Sequence, residues 1–167
     1  QILAQELRRG EGKVLYCTDC DYGFLATNSI IDTKAYYDSE YRKEYSHTAE
    51  ASPTSPSEMF EIYSRFQGNR LPFIKPVLTP SSKVLEVGAG AGQFLTHIKS
   101  DVKTAHAIEL DKECCTFLKN KMGIEADSEF LENSRFANEQ YDVVCAFQVM
   151  EHVEDPIVFL KSLKKVT

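Results

Sequence analysis

The sequence predicts an α/β fold built on a doubly wound, mostly parallel sheet, and three observations carry that prediction. Short apolar runs alternate with helical patterns from Lys83 onward. A glycine-rich loop follows the first of those runs, and residues 141–147 (YDVVCAF) are apolar enough to be covered on both faces. Strands separated by helices pair in parallel through right-handed crossovers. A chain of 167 residues is long enough for one well-buried domain with a small appendage.

Taken in order, residues 13–16 (KVLY) and 23–26 (GFLA) are expected as short strands around the turn CTDCDYG. Asp32 is placed to cap a helix in which Tyr37, Tyr41 and Tyr45 recur every fourth residue as one aromatic face. The stretch EASPTSPS has the composition of a linker, and its end is a helix start. Ser55 stands as N-cap, Pro56 at the first helical position and Glu58 as the capping-box acid. Met59, Ile62, Tyr63 and Phe66 then fall at i, i+3, i+4 and i+7, which predicts one buried stripe ended by Gly68. Pro72, Pro76 and Pro80 keep residues 71–80 from forming a long helix.

From Lys83 the elements alternate. Residues 84–87 read as the first strand, and the glycines behind it open a helix carrying Phe94, Leu95 and Ile98. Residues 104–108 are the second strand. Asp111 caps the next helix, which runs through Phe117, Leu118 and Met122 to Gly123. A third strand near Ile124 is faintly marked, and residues 141–147 are the fourth. Asp155-Pro156 starts a last helix with Ile157, Leu160 and Leu163 inward. The expected organisation is a hairpin and helical segment over 1–50, a linker over 51–57, and the doubly wound domain over 58–167, truncated after its fourth strand. That strand is expected to be an apolar edge, covered by the rest of a longer protein or by a second copy in a homo-oligomer.

The formal net charge of −6 argues against a nucleic-acid backbone as partner, because binding phosphates needs a basic face. No apolar run approaches the length of a membrane span. The five cysteines are Cys17, Cys20, Cys114, Cys115 and Cys145. An odd number, with one adjacent pair and one member inside an apolar strand, is unlike a secreted disulfide framework, so a cytoplasmic location is expected. Cys17 and Cys20 are a possible metal half-site. Structural zinc takes four ligands, so no bound metal is expected unless further ligands lie outside this chain.

The string VLEVGAGAGQFL holds Gly88, Gly90 and Gly92 directly after a strand. In an open parallel sheet, ligands sit beyond the carboxyl ends of the strands, where this loop lies. A dinucleotide fingerprint wants a third glycine three residues after the second, and this chain has Gln93 there. An acid, Glu86, precedes the glycines. Both features turn the reading away from a phosphate-bearing ligand.

Residues 86–92 (EVGAGAG) resemble motif I of the class I S-adenosylmethionine-dependent methyltransferases. The likeness extends to HAIELDKE around Glu109 and to YDVVCAFQVMEHVEDP, and so spans about half the chain. It implies a Rossmann-like fold, S-adenosylmethionine as cofactor and a small-molecule acceptor, with a sugar or surface-glycan precursor the first candidate. By this resemblance Glu109 holds the ribose diol and Glu86 lies near the cofactor's ammonium group. Gly88 and Gly90 pass beneath its methionine and ribose portions, with Gly92 in the same loop, and Phe147 and Gln148 flank it where substrate meets methyl. Asp127 and Ser128 are candidates for the adenine. A carboxylate accepting from two neighbouring hydroxyls makes chemical sense of the Glu109 assignment.

His152, a group that titrates near neutral pH, is a candidate general base with Glu151 orienting it or binding substrate. The other reading has the pair capping local backbone. His47, His97 and His106 show no partner pattern. The Cys17–Cys20 segment resembles the second half of a zinc knuckle of the kind that precedes some methyltransferases acting on sugars and related small molecules. Two other functions stay open at this point: a nicotinamide-dependent oxidoreductase, and a non-catalytic binding or partner module on the same scaffold.

Overall fold

In the computed structural model, which describes residues 2–6, 11–26, 33–39 and 54–167, the chain divides into the units Gln1–Thr33 and Lys34–Thr167. The first unit is an antiparallel sheet of β1 (Ile2–Glu6), β2 (Glu11–Tyr16) and β3 (Gly23–Ala26), in that order. β2 and β3 are the expected hairpin, whereas β1 carries no strand signal that set it apart in the sequence. Between them the Cys17 N–H donates to the Tyr22 carbonyl at 2.9 Å. Asp21 turns the chain at φ 55°, a left-handed conformation that a short polar side chain tolerates.

The second unit begins at Lys34, within α1 (Thr33–Ser39), which carries Tyr37. Asp32, Tyr41, Tyr45 and His47 lie outside the described residues. α2 (Pro56–Ser64) starts as expected: Ser55 Oγ accepts from the Glu58 N–H, and the Glu58 carboxylate accepts from the Ser55 N–H, both at 3.3 Å. Its apolar stripe is only half-buried, and Phe66, past the helix end, is exposed. The reason is the surface it leans on. α2 packs on another helix, α4 (Lys112–Asn120), through Phe60 on Phe117 at 6.2 Å, rather than on the sheet. The prolines do cut the next segment short, leaving one turn of helix, α3 (Leu71–Ile74), and a 3₁₀ turn.

The parallel sheet comprises β4 (Lys83–Val87), β5 (Thr104–Ile108), β6 (Glu125–Asp127) and β7 (Val143–Cys145), in the order β6-β5-β4-β7. The chain steps outward from β4 to β6 and then returns to the other side of β4, which makes β4 the strand at which the winding reverses. Alternation along each strand sends Val84, Ala107, Ala126 and Cys145 to one face and Leu85, Val87 and Ile108 to the other. α4 covers the first face with Cys115 and Leu118. The second is covered by Leu131, Phe136 and Val166, with Phe159 and Leu163 of α5 (Pro156–Lys165) packed against them. The doubly wound α/β architecture is as expected, and among the described strands β7 pairs with β4 alone.

Three local expectations differ from the structure. The segment after the glycine loop buries Phe94, Leu95 and Ile98 but forms tight turns with a 3₁₀ stretch (Leu95–His97), not a regular helix. There the Thr96 N–H and the Thr96 hydroxyl both donate to the Gly92 carbonyl, each at 3.0 Å. β7 is three residues long, because the Tyr141 N–H leaves the ladder for the Val166 carbonyl at 2.8 Å and the chain turns at Gln148. In α5 the inward residues are Phe159, Leu163 and Val166, while Ile157 and Leu160 are exposed. Both sets satisfy helical spacing, and packing against Leu131, Phe136 and Tyr141 selects the second.

Gly92 sits at φ 83°, and a Cβ there would lie 2.5 Å from Leu118 Cδ2 in the core. Gly92→Ala is therefore expected to destabilise the chain by about 3 kcal/mol, from a strained backbone and an overfilled contact. Urea denaturation reads this directly, and an unchanged midpoint would contradict it.

Candidate cofactor site

The end of β4 places Glu86, and its direction follows from strand alternation: it points to the same face as Val84. Its residue exposure is 2%, and its Oε2 is a buried oxygen without a hydrogen-bond partner. An ionised carboxylate so placed costs several kcal/mol unless something compensates it. Burial accordingly pushes the Glu86 carboxyl well above the ordinary carboxylate range; the Arg70 charge pulls it back in part and the Glu109 charge adds to the rise. The register sets Cys145 of β7 beside it, and burial followed by the Glu86 charge pushes that thiol up to about 12. Cys145 is thus an apolar wall and no nucleophile.

The glycine loop then crosses to the end of β5. The Gly88 and Ala89 N–H groups both donate to the Ile108 carbonyl, at 2.8 and 3.2 Å. The Gly90 N–H donates to Glu109 Oε2 at 2.6 Å, and Glu109 Oε1 accepts from the Asp111 N–H at 2.9 Å. Burial raises the Glu109 carboxyl, and these two backbone donors lower it. Each of its oxygens keeps lone-pair capacity for a further donor. Gly88, at φ 76°, would meet Val149 Cγ2 at 2.5 Å if it carried a Cβ, so the loop after β7 lies directly against the glycine turn.

That second loop carries Phe147 and Gln148. The Phe147 ring stands edge-on to Phe94 at 4.9 Å. Gln148 adopts φ 56°, a conformation that costs a non-glycine residue on the order of 1 kcal/mol or more and is concentrated at functional turns. Glu151 and His152 come next on an exposed 3₁₀ turn, where the His152 ring meets Tyr37 of α1 edge-on at 6.0 Å. After β6, Asp127 Oδ2 accepts from the Arg135 N–H at 2.8 Å, and Glu129 forms an ion pair with Lys34 of α1. His106 is a packing residue, stacked on Phe136 and 2.8 Å from the Tyr141 hydroxyl, and His97 is exposed.

The structure therefore gathers Glu86, Gly88, Gly90 and Glu109 around one loop at the carboxyl ends of β4 and β5, with Phe147 and Gln148 on the adjacent loop. Gly92 belongs to the same turn but packs inward. Cys17 and Cys20 lie in the other unit, and among the described residues no cluster of three or more His, Cys, Asp or Glu is placed to hold a metal. No described helix is long and apolar enough to cross a membrane. One residue was invisible to pattern reading: Arg70, just before the proline-broken segment. Its guanidinium lies over the Phe147 ring at 4.5 Å, Nη1 donates to Gln67 Oε1 at 3.2 Å, and Nη2 is 3.5 Å from Gln148 Oε1.

Comparison with known proteins agrees with this geometry. A family model described as a methyltransferase domain matches residues 47–167. The chain belongs to that methyltransferase family, which decides against the nicotinamide-dependent oxidoreductase. Among solved structures it is similar to magnesium protoporphyrin IX methyltransferase of Synechocystis PCC 6803 with bound SAM. That match has TM-score 0.61 and 13% identity, over 84% of this chain and 74% of that one. The same enzyme with bound SAH aligns at TM-score 0.60 and 11% identity, over 80% and 66%. A SAM-dependent methyltransferase from Aquifex aeolicus aligns at 0.50 and 21%, over 69% and 68%. At these identities the likeness establishes the Rossmann-like methyltransferase fold. No curated protein sequence matches the chain.

The raised Glu86 carboxyl has a pH signature. It binds its proton more tightly in the folded chain than in the unfolded one, so its contribution is fully present below the ordinary carboxylate range and is lost as pH climbs through the raised value. Glu86→Gln removes that loss. Its stability relative to the parent is expected to grow as pH rises above the ordinary carboxylate range. Parallel stability curves in urea for the two proteins would refute this.

Proposed function

We propose that this chain binds S-adenosylmethionine at the β4–β5 rim and carries out methyl transfer to a small-molecule acceptor. The observation that carries the reading is a pair of carboxylates, one with an unpartnered buried oxygen and one closing the glycine loop, at the strand where the winding reverses. The fit is chemical. S-adenosylmethionine has an ammonium group, a ribose diol and a cationic sulfonium, and no phosphate. When bound it supplies an electrophilic methyl group.

The remaining work belongs to the chain. Glu86 accepts from the ammonium group, which gives its buried oxygen a donor and favours its ionised form. Glu109 accepts from the ribose hydroxyls with the lone pairs that Gly90 and Asp111 leave over. Gly88 and Gly90 provide a floor without side chains, Gly92 anchors that floor to Leu118, and Phe147 and Gln148 bound the methyl-bearing end. Asp127 and Ser128 are assigned to the adenine side. Holding acceptor and methyl in line supplies much of the acceleration in such a displacement.

Glu151 and His152 stand at the rim as the groups available to take an acceptor proton. The turn bond from the His152 N–H to the Val149 carbonyl equally supports a role in shaping the loop, which we favour. A net charge of −6 favours a small acceptor over nucleic acid, and the likeness of the loop after β7 to small-molecule methyltransferases points first to a sugar or glycan precursor. We further assign cofactor binding to 58–167 and a cytoplasmic location to the chain, the latter on its cysteine pattern. We do not assign a metal to Cys17 and Cys20 without ligands from elsewhere. The β7 edge is proposed to be covered, by further chain or by a second copy.

Calorimetric titration with S-adenosylhomocysteine is expected to show one site per chain. Glu109→Ala should weaken that affinity by about 1–3 kcal/mol, the worth of charged hydrogen bonds to the ribose. Unchanged affinity in the variant would remove Glu109 from the site.

A further inference from the structure

The five cysteines fall into two chemical groups. Cys114, Cys115 and Cys145 are buried, and burial pushes the Cys115 and Cys145 thiols up, the latter to about 12. Cys17 is half-buried and Cys20 is exposed, both on the turn that joins β2 to β3. The chain holds that turn in place. The Cys17 N–H donates to the Tyr22 carbonyl at 2.9 Å, Asp21 takes φ 55°, and the Tyr16 hydroxyl donates to the Asp21 carboxylate. The Cys17 sulfur accepts from the Asp19 N–H, the Cys20 thiol and the Cys20 N–H, which together hold it below the ordinary thiol range. The two sulfurs therefore already face each other. Among the described residues, no third His, Cys, Asp or Glu joins them in a metal-holding cluster.

We propose that Cys17 and Cys20 form a dithiol–disulfide pair that exchanges with low-molecular-weight disulfides, Cys17 attacking first and Cys20 resolving. The Cys17 thiolate attacks one sulfur of the reagent, whose S–S bond breaks and whose other half leaves as a thiolate. The Cys20 thiol then gives its proton to solvent and attacks Cys17 Sγ in the mixed disulfide. The 17–20 bond closes and the second half of the reagent leaves as a thiolate. The protein loses two electrons and the reagent, reduced, becomes two thiols. Geometry permits the closure. Residues 18–20 are turn backbone, and a four-residue turn brings its end Cα atoms within about 7 Å, the span of a disulfide. On the cytoplasmic assignment above, such a bond is a transient, redox-responsive one and not a structural staple. The site is independent of the cofactor reading, since it lies in the other unit.

The test incubates the whole folded chain with glutathione disulfide, then unfolds it in an alkylating reagent and reads each cysteine by peptide mass spectrometry. The segment holding Cys17 and Cys20 is expected to lose the mass of two hydrogen atoms and to escape alkylation, and dithiothreitol should reverse this. Cys114, Cys115 and Cys145 should be alkylated in full. Cys20→Ser should trap a stable glutathione adduct on Cys17. In Cys17→Ser the remaining Cys20 should react about 10-fold more slowly or less. Alkylation of Cys17 and Cys20 to the same extent as the buried three overturns the proposal. So do equal rates in the two variants, or a parent that stops at the mixed disulfide. A stoichiometric zinc ion retained on the pair in the purified chain overturns it as well.

Discussion

A single carboxylate ties this site together. Glu109 leaves the end of one strand and accepts the Gly90 N–H from the loop of the next, while its other oxygen accepts from Asp111 at the cap of α4. Strand, glycine turn and helix start are thereby fixed to one group, with the Gly88 and Ala89 N–H groups reinforcing the tie through Ile108. Backbone donors of this kind cost no side-chain entropy and hold the carboxylate in one orientation, which is the preorganisation a ligand's hydroxyl pair requires. The same bonds offset part of the penalty of placing an acid there.

Glu86 is the complementary case. It is buried with no hydrogen-bond partner on Oε2, and the sheet itself enforces that burial: alternation along β4 leaves the side chain no other face to occupy. Such a residue weakens the empty fold and strengthens whatever cationic donor fills the space beside it. On the proposed cofactor reading, stability is given up at the point where the ammonium group binds. The left-handed Gln148 on the facing loop is a second local cost at the same place.

How far the sequence revealed this depends on the kind of signal. Capping boxes and N-caps at Ser55, Asp111 and Asp155 are short-range chemistry, and all three appear in the structure. The glycine loop and the two acids were legible because a turn against backbone and core demands those residue types in a fixed order. The rotation of α5 was not, since apolar residues at 157, 160 and 163 and at 159, 163 and 166 satisfy the same period, and only tertiary packing chooses between them. The segment after the glycines is a related case: burial of Phe94, Leu95 and Ile98 was encoded, while the backbone that carries them takes tight turns and a 3₁₀ stretch. Arg70 reaches Phe147 across 77 positions of sequence, from 147 − 70, and no local pattern announces so distant a contact.

The account stands on an acid-lined, phosphate-free rim shaped for an adenosyl sulfonium. A crystal structure of the chain with S-adenosylhomocysteine tests it most directly. The ribose hydroxyls should lie within hydrogen-bonding distance of Glu109, with the amino group on Glu86. Density for the adenosine elsewhere, or a rim filled by the chain's own Val149 and Gln148 with both carboxylates untouched, would contradict it.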